Sequence, residues 1–343
     1  MNCADIPLRK CKYETTPVQR VPEYINFPSY AKTGIVEHSE STYEIKDEAT
    51  INKMKKAGKL AAQCLKLCLE NSKENTTTDD IDKMAFDFYI KNNAYPAGIN
   101  FHGFPKTVCA SPNEGSAIHF FFFFFFMYHL SILLLYEPRI MLYLQNCDEC
   151  DVHLSAIANV LRHNLLVCHG IPNLRKLKKG DIITYDCTVF VDGVFGDCAG
   201  TTGVGEISEK HKKLINVSKE CLYKAISVCR DGQKFSEIGK IITEHAEKNG
   251  FKVIRDFCGH FIGKNMHMFP LIEHHYPNGH GDNDRMKKGQ IFTIEPILSE
   301  GSVNIHTWKD QWTVCTNDNS FCSQWEHTIL VLENSAEILT DCE

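Results

Sequence analysis

Apolar positions recur three and four apart from Asp47 onward, at Met54, Ala57, Ala61, Cys64 and Cys68, which predicts an amphipathic helix with one buried stripe. Cys64 and Cys68 lie on that stripe. With no further zinc ligands close by in the chain, they read as core packing. A second helix is expected from Thr78 as its N-cap, with Ile81, Met84, Ala85 and Phe88 turned inward. Residues Ile182 to Phe195 are β-branched and aromatic and are interrupted by Asp192-Gly193, the dipeptide of a two-residue type I′ hairpin turn. The order then repeats: helices over Ser208–Cys229 and Ser236–Asn249, the second closed by Gly250, and strands over Phe251–Phe257, Gln290–Leu298 and Trp325–Leu332. Helices followed by sheet, twice over, predict an α+β fold of two similar halves, with a cleft between them as the natural place for a site.

Residues 1–45 carry Pro7, Pro17, Pro22 and Pro28 without sustained periodicity and read as an extended N-terminal arm. Arg9, Lys10, Lys12 and Arg20 against three acids in the first 24 residues are a weak targeting signal, and a solvated tail is the simpler reading. The remainder, 46–343, is expected to be one domain interrupted by an atypical insert at 115–166. The whole chain has 343 residues and a net charge of −6, which argues against a nucleic-acid partner. Its 16 cysteines are scattered, lack framework spacing and follow no apolar signal stretch, so they read as reduced thiols.

Candidate chemistry starts at the hairpin. If Asp192 and Gly193 form the turn, paired residue numbers sum to 385, so Asp197 faces Thr188 and lies diagonal to Asp186 on one face. Two carboxylates side by side on apolar strands need a neutralising cation or a shared proton, unless that face meets solvent. A general acid/base pair is the competing reading. His260 follows a strand in Cys258-Gly259-His260-Phe261-Ile262-Gly263, and Glu295 and Glu326 interrupt apolar strands at Phe292-Thr293-Ile294-Glu295-Pro296 and Trp325-Glu326-His327-Thr328. Four carboxylates and one imidazole suit two bridged divalent ions of the manganese, iron or cobalt kind better than one structural zinc.

Seven runs, Gly103-Phe104-Pro105-Lys106, Val167-Cys168-His169-Gly170-Ile171-Pro172, Gly180-Asp181-Ile182, Asp186-Cys187-Thr188, Gly196-Asp197, Phe292-Thr293-Ile294-Glu295-Pro296 and Gln324-Trp325-Glu326-His327-Thr328, together resemble a type 1 methionine aminopeptidase over about residues 46 to 340. The resemblance implies the pita-bread fold, a pseudo-two-fold pair of α+β halves. It implies a metalloaminopeptidase that removes the initiator methionine from nascent chains with a small second residue, using two divalent ions of cobalt, manganese, iron or zinc. By the same resemblance Asp186 binds one ion, Asp197 and Glu326 bridge both, His260 and Glu295 bind the other, and the bridged hydroxide attacks the first peptide carbonyl. Glu295 would also shuttle the proton. His169 and His267 would position the peptide and stabilise the tetrahedral intermediate, while Phe101, Phe104, Cys109 and Trp312 would line the methionine pocket.

The implied partners are nascent polypeptide N-termini near the ribosome, with no nucleic acid and no membrane, and the chain is expected to be a monomer. The stretch from Tyr30 to Val36 and the run Glu300-Gly301-Ser302 are similar to the mitochondrial branch of these enzymes, with the cytoplasm as the alternative. A proline-specific relative is the competing enzyme, and a non-catalytic or insert-disrupted member of the family is the competing class. A type 2 enzyme is disfavoured because His260 and Glu295 are only 35 residues apart. Two departures stand out. About 52 residues, Gly115 to Leu166, intervene where the family runs almost directly on, and they contain Phe120 to Phe126 in a charge-free run of 17 residues. That run is marginal for a membrane span, and the insert reads as a retained intron before it reads as a surface insertion. The other departure is Phe261, where the family has glycine; a bulky residue there is expected to crowd the metal or the substrate.

Overall fold

The computed structural model describes residues 13–36, 43–113, 165–281 and 284–341. The insert expected at 115–166 lies outside them, apart from its last two residues, Leu165 and Leu166.

Two helices open the first half. Helix α1 spans Glu48–Asn71 and is capped by Asp47, whose carboxylate accepts from the Thr50 N–H; it buries Met54, Ala57, Ala61, Cys64 and Cys68 as the stripe predicted. Helix α2 spans Thr78–Lys91, and its N-cap is Thr77, one residue earlier than expected. The Thr77 hydroxyl accepts from the Asp80 N–H while the Asp80 carboxylate accepts from the Thr77 N–H, a reciprocal capping box. Its inward face repeats every four residues through Ile81, Ala85 and Tyr89. Met84, expected inside, is therefore turned out and 40% exposed.

The helices lie against a four-stranded sheet in which β1 (Tyr95–Pro96) and β2 (Cys109–Asn113) flank β4 (Ile182–Val191), and β5 (Val194–Gly203) also pairs β4. Asp192 and Gly193 both take positive φ, 52° and 84°, as the two-residue turn requires. Asp197 faces Thr188, the register given by the sum of residue numbers. Helix α1 approaches β5 so closely that a Cβ on Gly196 would sit 2.5 Å from the Ala57 carbonyl carbon. Ahead of α1, Ile25, Tyr30 and Ala31 are buried in this first core, and the Tyr30 hydroxyl donates to the Ala97 carbonyl at 2.5 Å.

The second half repeats the theme with α3 (Glu209–Val228) and α4 (Ser236–Lys248), the latter followed by Gly250 at φ 85°. They pack on a five-stranded antiparallel sheet of order β15-β14-β9-β7-β8, formed by Ala336–Ile338, His327–Val331, Ile291–Ile294, Cys258–Phe261 and Met268–Glu273. Two three-stranded sheets join the halves. One is β13 (Cys322–Gln324), β10 (Ile297–Ser299) and β6 (Lys252–Val253); the other is β11 (Ile305–Thr307), β12 (Val314–Thr316) and β3 (Leu166–Cys168). The single strand expected over Gln290–Leu298 is thus two, broken at Glu295-Pro296, because proline has no N–H to continue a ladder. Likewise Phe251–Phe257 contributes only the two residues of β6. Among the described residues no helix is long and apolar enough to cross a membrane.

Candidate metal centre

The break at Pro296 places Glu295 where the chain leaves one sheet for another, facing the β4–β5 hairpin. Asp186 and Asp197 point from the same face of that hairpin and their carboxylates touch. Asp197 is buried, and its Oδ1 accepts from the Thr188 hydroxyl at 2.8 Å. The Thr328 hydroxyl donates to the Asp197 carbonyl at 2.7 Å, and the Glu326 N–H donates to the Ala199 carbonyl at 2.9 Å, which ties β14 to β5 and brings Glu326 to the site.

His260, on β7, lies with Nε2 3.8 Å from Asp197 Oδ2 and 3.6 Å from Glu295 Oε1. Its Nδ1 is 3.1 Å from the Phe261 carbonyl oxygen, so Nδ1 carries the proton and Nε2 presents its lone pair to the carboxylates. Glu295 accepts from the Thr293 hydroxyl at 3.2 Å and from the Gln324 side-chain amide at 3.3 Å. The His274 ring nitrogen Nε2 accepts from two backbone N–H groups, Gly259 at 3.3 Å and Glu295 at 3.2 Å, and so pins the residue before one site side chain to the other. Burial pushes the His274 pKa down to about 3, which keeps the ring an acceptor.

Burial, reinforced by the neighbouring carboxylates, holds Asp186, Glu295 and Glu326 well above the usual carboxylate range. Asp197 is raised as well, by burial that outweighs the opposing pull of His260. Glu326 Oε1 is buried without a hydrogen-bond partner. Ligand atoms of Asp197, His260 and Glu326 lie within 4.8 Å of one another. A buried, self-repelling set of oxygen donors with one imidazole nitrogen and an orphaned carboxylate oxygen fits divalent cations, which would restore the charge balance. Asp186 and Glu295 stand beside the same trio.

A cavity of about 110 Å³ opens on this group, lined by Phe101, Phe104, Cys109, His169, His267 and Trp312 together with Asp186 and Asp197. Phe104 packs edge-on to Trp312 at 5.0 Å and Phe101 edge-on to His267 at 5.2 Å. The His267 ring is 4.4 Å from that of His260, and His169 stands 6.1 Å from Trp312. Burial lowers the His169 pKa to about 4, and loss of hydration in the cleft with the neighbouring His260, His169 and His102 takes His267 well below its ordinary value, so both rings are neutral near pH 7. Burial, with help from Asp186, raises the Cys109 thiol and keeps it protonated.

All eleven expected site residues therefore converge on one cleft. Met266 and Thr107, which also line the cavity, have no chemical signature in the sequence. His274, Gln324 and Thr293 act through contacts between distant segments, so no spacing announces them. The expectation for Phe261 is corrected. Successive strand residues point to opposite faces, so its ring is fully buried on the far side from His260, stacked on Phe292 at 5.5 Å and beside Phe235 and Tyr43.

The profile of metallopeptidase family M24 matches residues 151–333. The chain belongs to this family. Methionine aminopeptidase 1B, chloroplastic, from Arabidopsis thaliana is 37% identical over 336 residues, 98% of this chain and 76% of the relative. Methionine aminopeptidase 1D, mitochondrial, from Homo sapiens is 36% identical over 321 residues, 93% of this chain and 79% of the relative. The crystal structure of methionine aminopeptidase from Rickettsia prowazekii superposes with a TM-score of 0.70 at 34% identity, covering 88% of this chain and all of that one. Prolidase from Pyrococcus furiosus shares the fold alone, with a TM-score of 0.55 at 18% identity over 87% of this chain and 66% of that one. The M24 chain described here thus has the pita-bread fold common to these structures, and it is a metal-dependent hydrolase.

Proposed function

We propose that this M24 enzyme removes the initiator methionine from nascent chains whose second residue is small, working as a monomer on N-termini close to the ribosome. The observation that carries this reading is the small cavity of aromatic and sulfur-bearing walls that ends on the carboxylate–histidine group. Apolar walls and a thiol suit a flexible thioether side chain. The names of the relatives, methionine aminopeptidases at 34–37% identity over most of the chain, support the same substrate.

Asp186, Asp197, His260, Glu295 and Glu326 would hold two divalent ions, of cobalt, manganese, iron or zinc. Such ions supply a water activated at neutral pH and a Lewis acid for the scissile carbonyl. The chain's own residues do the rest. Phe101, Phe104, Cys109 and Trp312 hold the methionine side chain and exclude water around it. His169 and His267, neutral and on the cavity wall, offer ring N–H donors to the peptide carbonyl as negative charge develops on it. Glu295, held by Thr293 and Gln324 and raised in pKa, takes up a proton and returns it to the leaving amine. On this reading residues 46–343 are the catalytic domain and 1–45 an arm, of whose described residues Ile25, Tyr30 and Ala31 are buried in the first core. A mitochondrial site of action is supported by relatives named mitochondrial and by the stretch from Tyr30 to Val36.

The test is free methionine released by the full chain from Met-Ala-Ser and Met-Lys-Ser peptides, with manganese(II) or cobalt(II) added and then chelated. Release from the first peptide only, lost on chelation, is expected. Equal release from both, or release indifferent to chelation, would overturn the reading.

A further inference from the structure

Cys64 and Cys68 stand four apart on the buried stripe of α1, which stacks their side chains on one face of the helix. The ligand that the chain does not offer nearby in sequence arrives from β4. Cys187 points from that strand toward the helix, away from the face that carries Asp186, because successive strand residues alternate. The three sulfurs lie within 4.8 Å of one another, and all three residues have no exposed surface. A fourth polar group meets them. The hydroxyl of Tyr89, from α2 and itself fully buried, lies against Cys64 and makes no well-formed hydrogen bond.

Thiols are good small hydrophobes, and any pair of them in a core needs no explanation. Three converging sulfurs with an unsatisfied hydroxyl beside Cys64 are a different matter. Sulfurs around a tetrahedral or trigonal d¹⁰ ion, at metal–sulfur distances of about 2.3 Å, stand roughly 4 Å apart, which falls inside the 4.8 Å limit that holds these three. The donor set is all sulfur, soft, and set apart from the oxygen-rich centre on the opposite face of β4, so the two sites would select different ions.

We propose that Cys64, Cys68 and Cys187 form a second metal site, a three-sulfur pocket for a soft thiophilic cation of the zinc or copper(I) class, with the Tyr89 hydroxyl donating to the Cys64 sulfur. Coordination replaces thiol protons, which leave to water, with sulfur–metal bonds, and involves no change of oxidation state. With a divalent ion and three thiolates the site keeps one negative charge, which the Tyr89 donor partly offsets. The bound ion clips α1 to the strand that carries Asp186 and so stiffens the floor of the catalytic cleft. Since the sulfurs are sealed in, the ion enters as the chain folds.

Cobalt(II) is the probe, supplied in the growth medium so that it is present during folding. The full chain is expected to show a sulfur-to-cobalt charge-transfer absorption, which oxygen and imidazole ligands do not give. It should also retain one ion per chain more than the double variant Cys64→Ala/Cys68→Ala. The double variant should lose the band and that ion yet still release methionine, which separates this site from the catalytic one. A folded wild-type chain without the band, or a band that persists in the double variant, would overturn the proposal. Should the double variant not fold, X-ray absorption on zinc-loaded wild-type chain decides: a sulfur shell at about 2.3 Å supports the site, and oxygen and nitrogen neighbours alone refute it.

Discussion

The Thr188 hydroxyl donates to Asp197 Oδ1 at 2.8 Å across the hairpin, from the position directly opposite it in the ladder. That bond fixes which carboxylate oxygen faces the neighbouring ligands. Thr188→Val keeps the shape and deletes the donor. Supporting hydrogen bonds of this kind typically carry a 10–100-fold effect on metal affinity, so the variant is expected to bind manganese(II) or cobalt(II) about tenfold more weakly. Metal titration followed by methionine release measures it, and unchanged affinity would remove Thr188 from the site.

Glu326 Oε1 is buried and unpartnered among carboxylates that repel one another. In the metal-free chain this is a destabilising arrangement kept for function. Glu326→Gln should therefore raise the Tm of the chelator-treated protein while abolishing methionine release. Asp197→Ala should abolish release as well. Differential scanning calorimetry with and without chelator separates the two effects, because the wild-type chain should gain more from added metal than Glu326→Gln does.

His274 joins β8 to the two segments that carry His260 and Glu295 by accepting two backbone N–H groups. His274→Ala leaves both donors unpaired in a buried place, at about 1–3 kcal/mol each. The expected result is a chain destabilised by about 2–6 kcal/mol in urea unfolding, with Glu295 no longer held and activity falling further than stability alone explains. Full activity at a temperature where the variant stays folded would show that Glu295 needs no such anchor.

Much of this was legible in advance, and the exceptions have physical causes. One dipeptide, Asp192-Gly193, set the hairpin turn and with it the pairing of Asp197 with Thr188, because a two-residue loop leaves no freedom of register. The break at Pro296 was a local signal too, yet the apolar run from Gln290 to Leu298 concealed it and read as one strand. Met84 was misplaced because a helical repeat of three or four leaves the choice of neighbour open, and the face through Ile81, Ala85 and Tyr89 won. Alternation along β7 already turned Phe261 away from His260; a comparison of residue size alone overlooked it. What spacing could not reveal was convergence between segments, such as His274 on Glu295 or Cys187 on Cys64 and Cys68.

Asp82 offers a test of pH dependence away from the metal centre. It is buried on α2, accepts from the Thr107 and Val108 N–H groups at 2.8 and 3.1 Å, and burial raises its pKa from 3.8 to about 7. The folded chain thus holds this proton more tightly than the unfolded chain does, so between about pH 4 and pH 7 the folded state binds more protons and stability falls as pH rises. At 1.36 kcal/mol per unit the contribution reaches roughly 4 kcal/mol at most. Asp82→Asn keeps the acceptor oxygen for both N–H groups and cannot ionise. Its stability should be flat at this site across that range, so that the wild-type chain loses ground to it steadily up to pH 7 and no further above. Urea midpoints for both chains at half-unit pH steps give the difference directly. Parallel curves from pH 4 to 8 would mean that Asp82 is already ionised in the folded chain at the acid end.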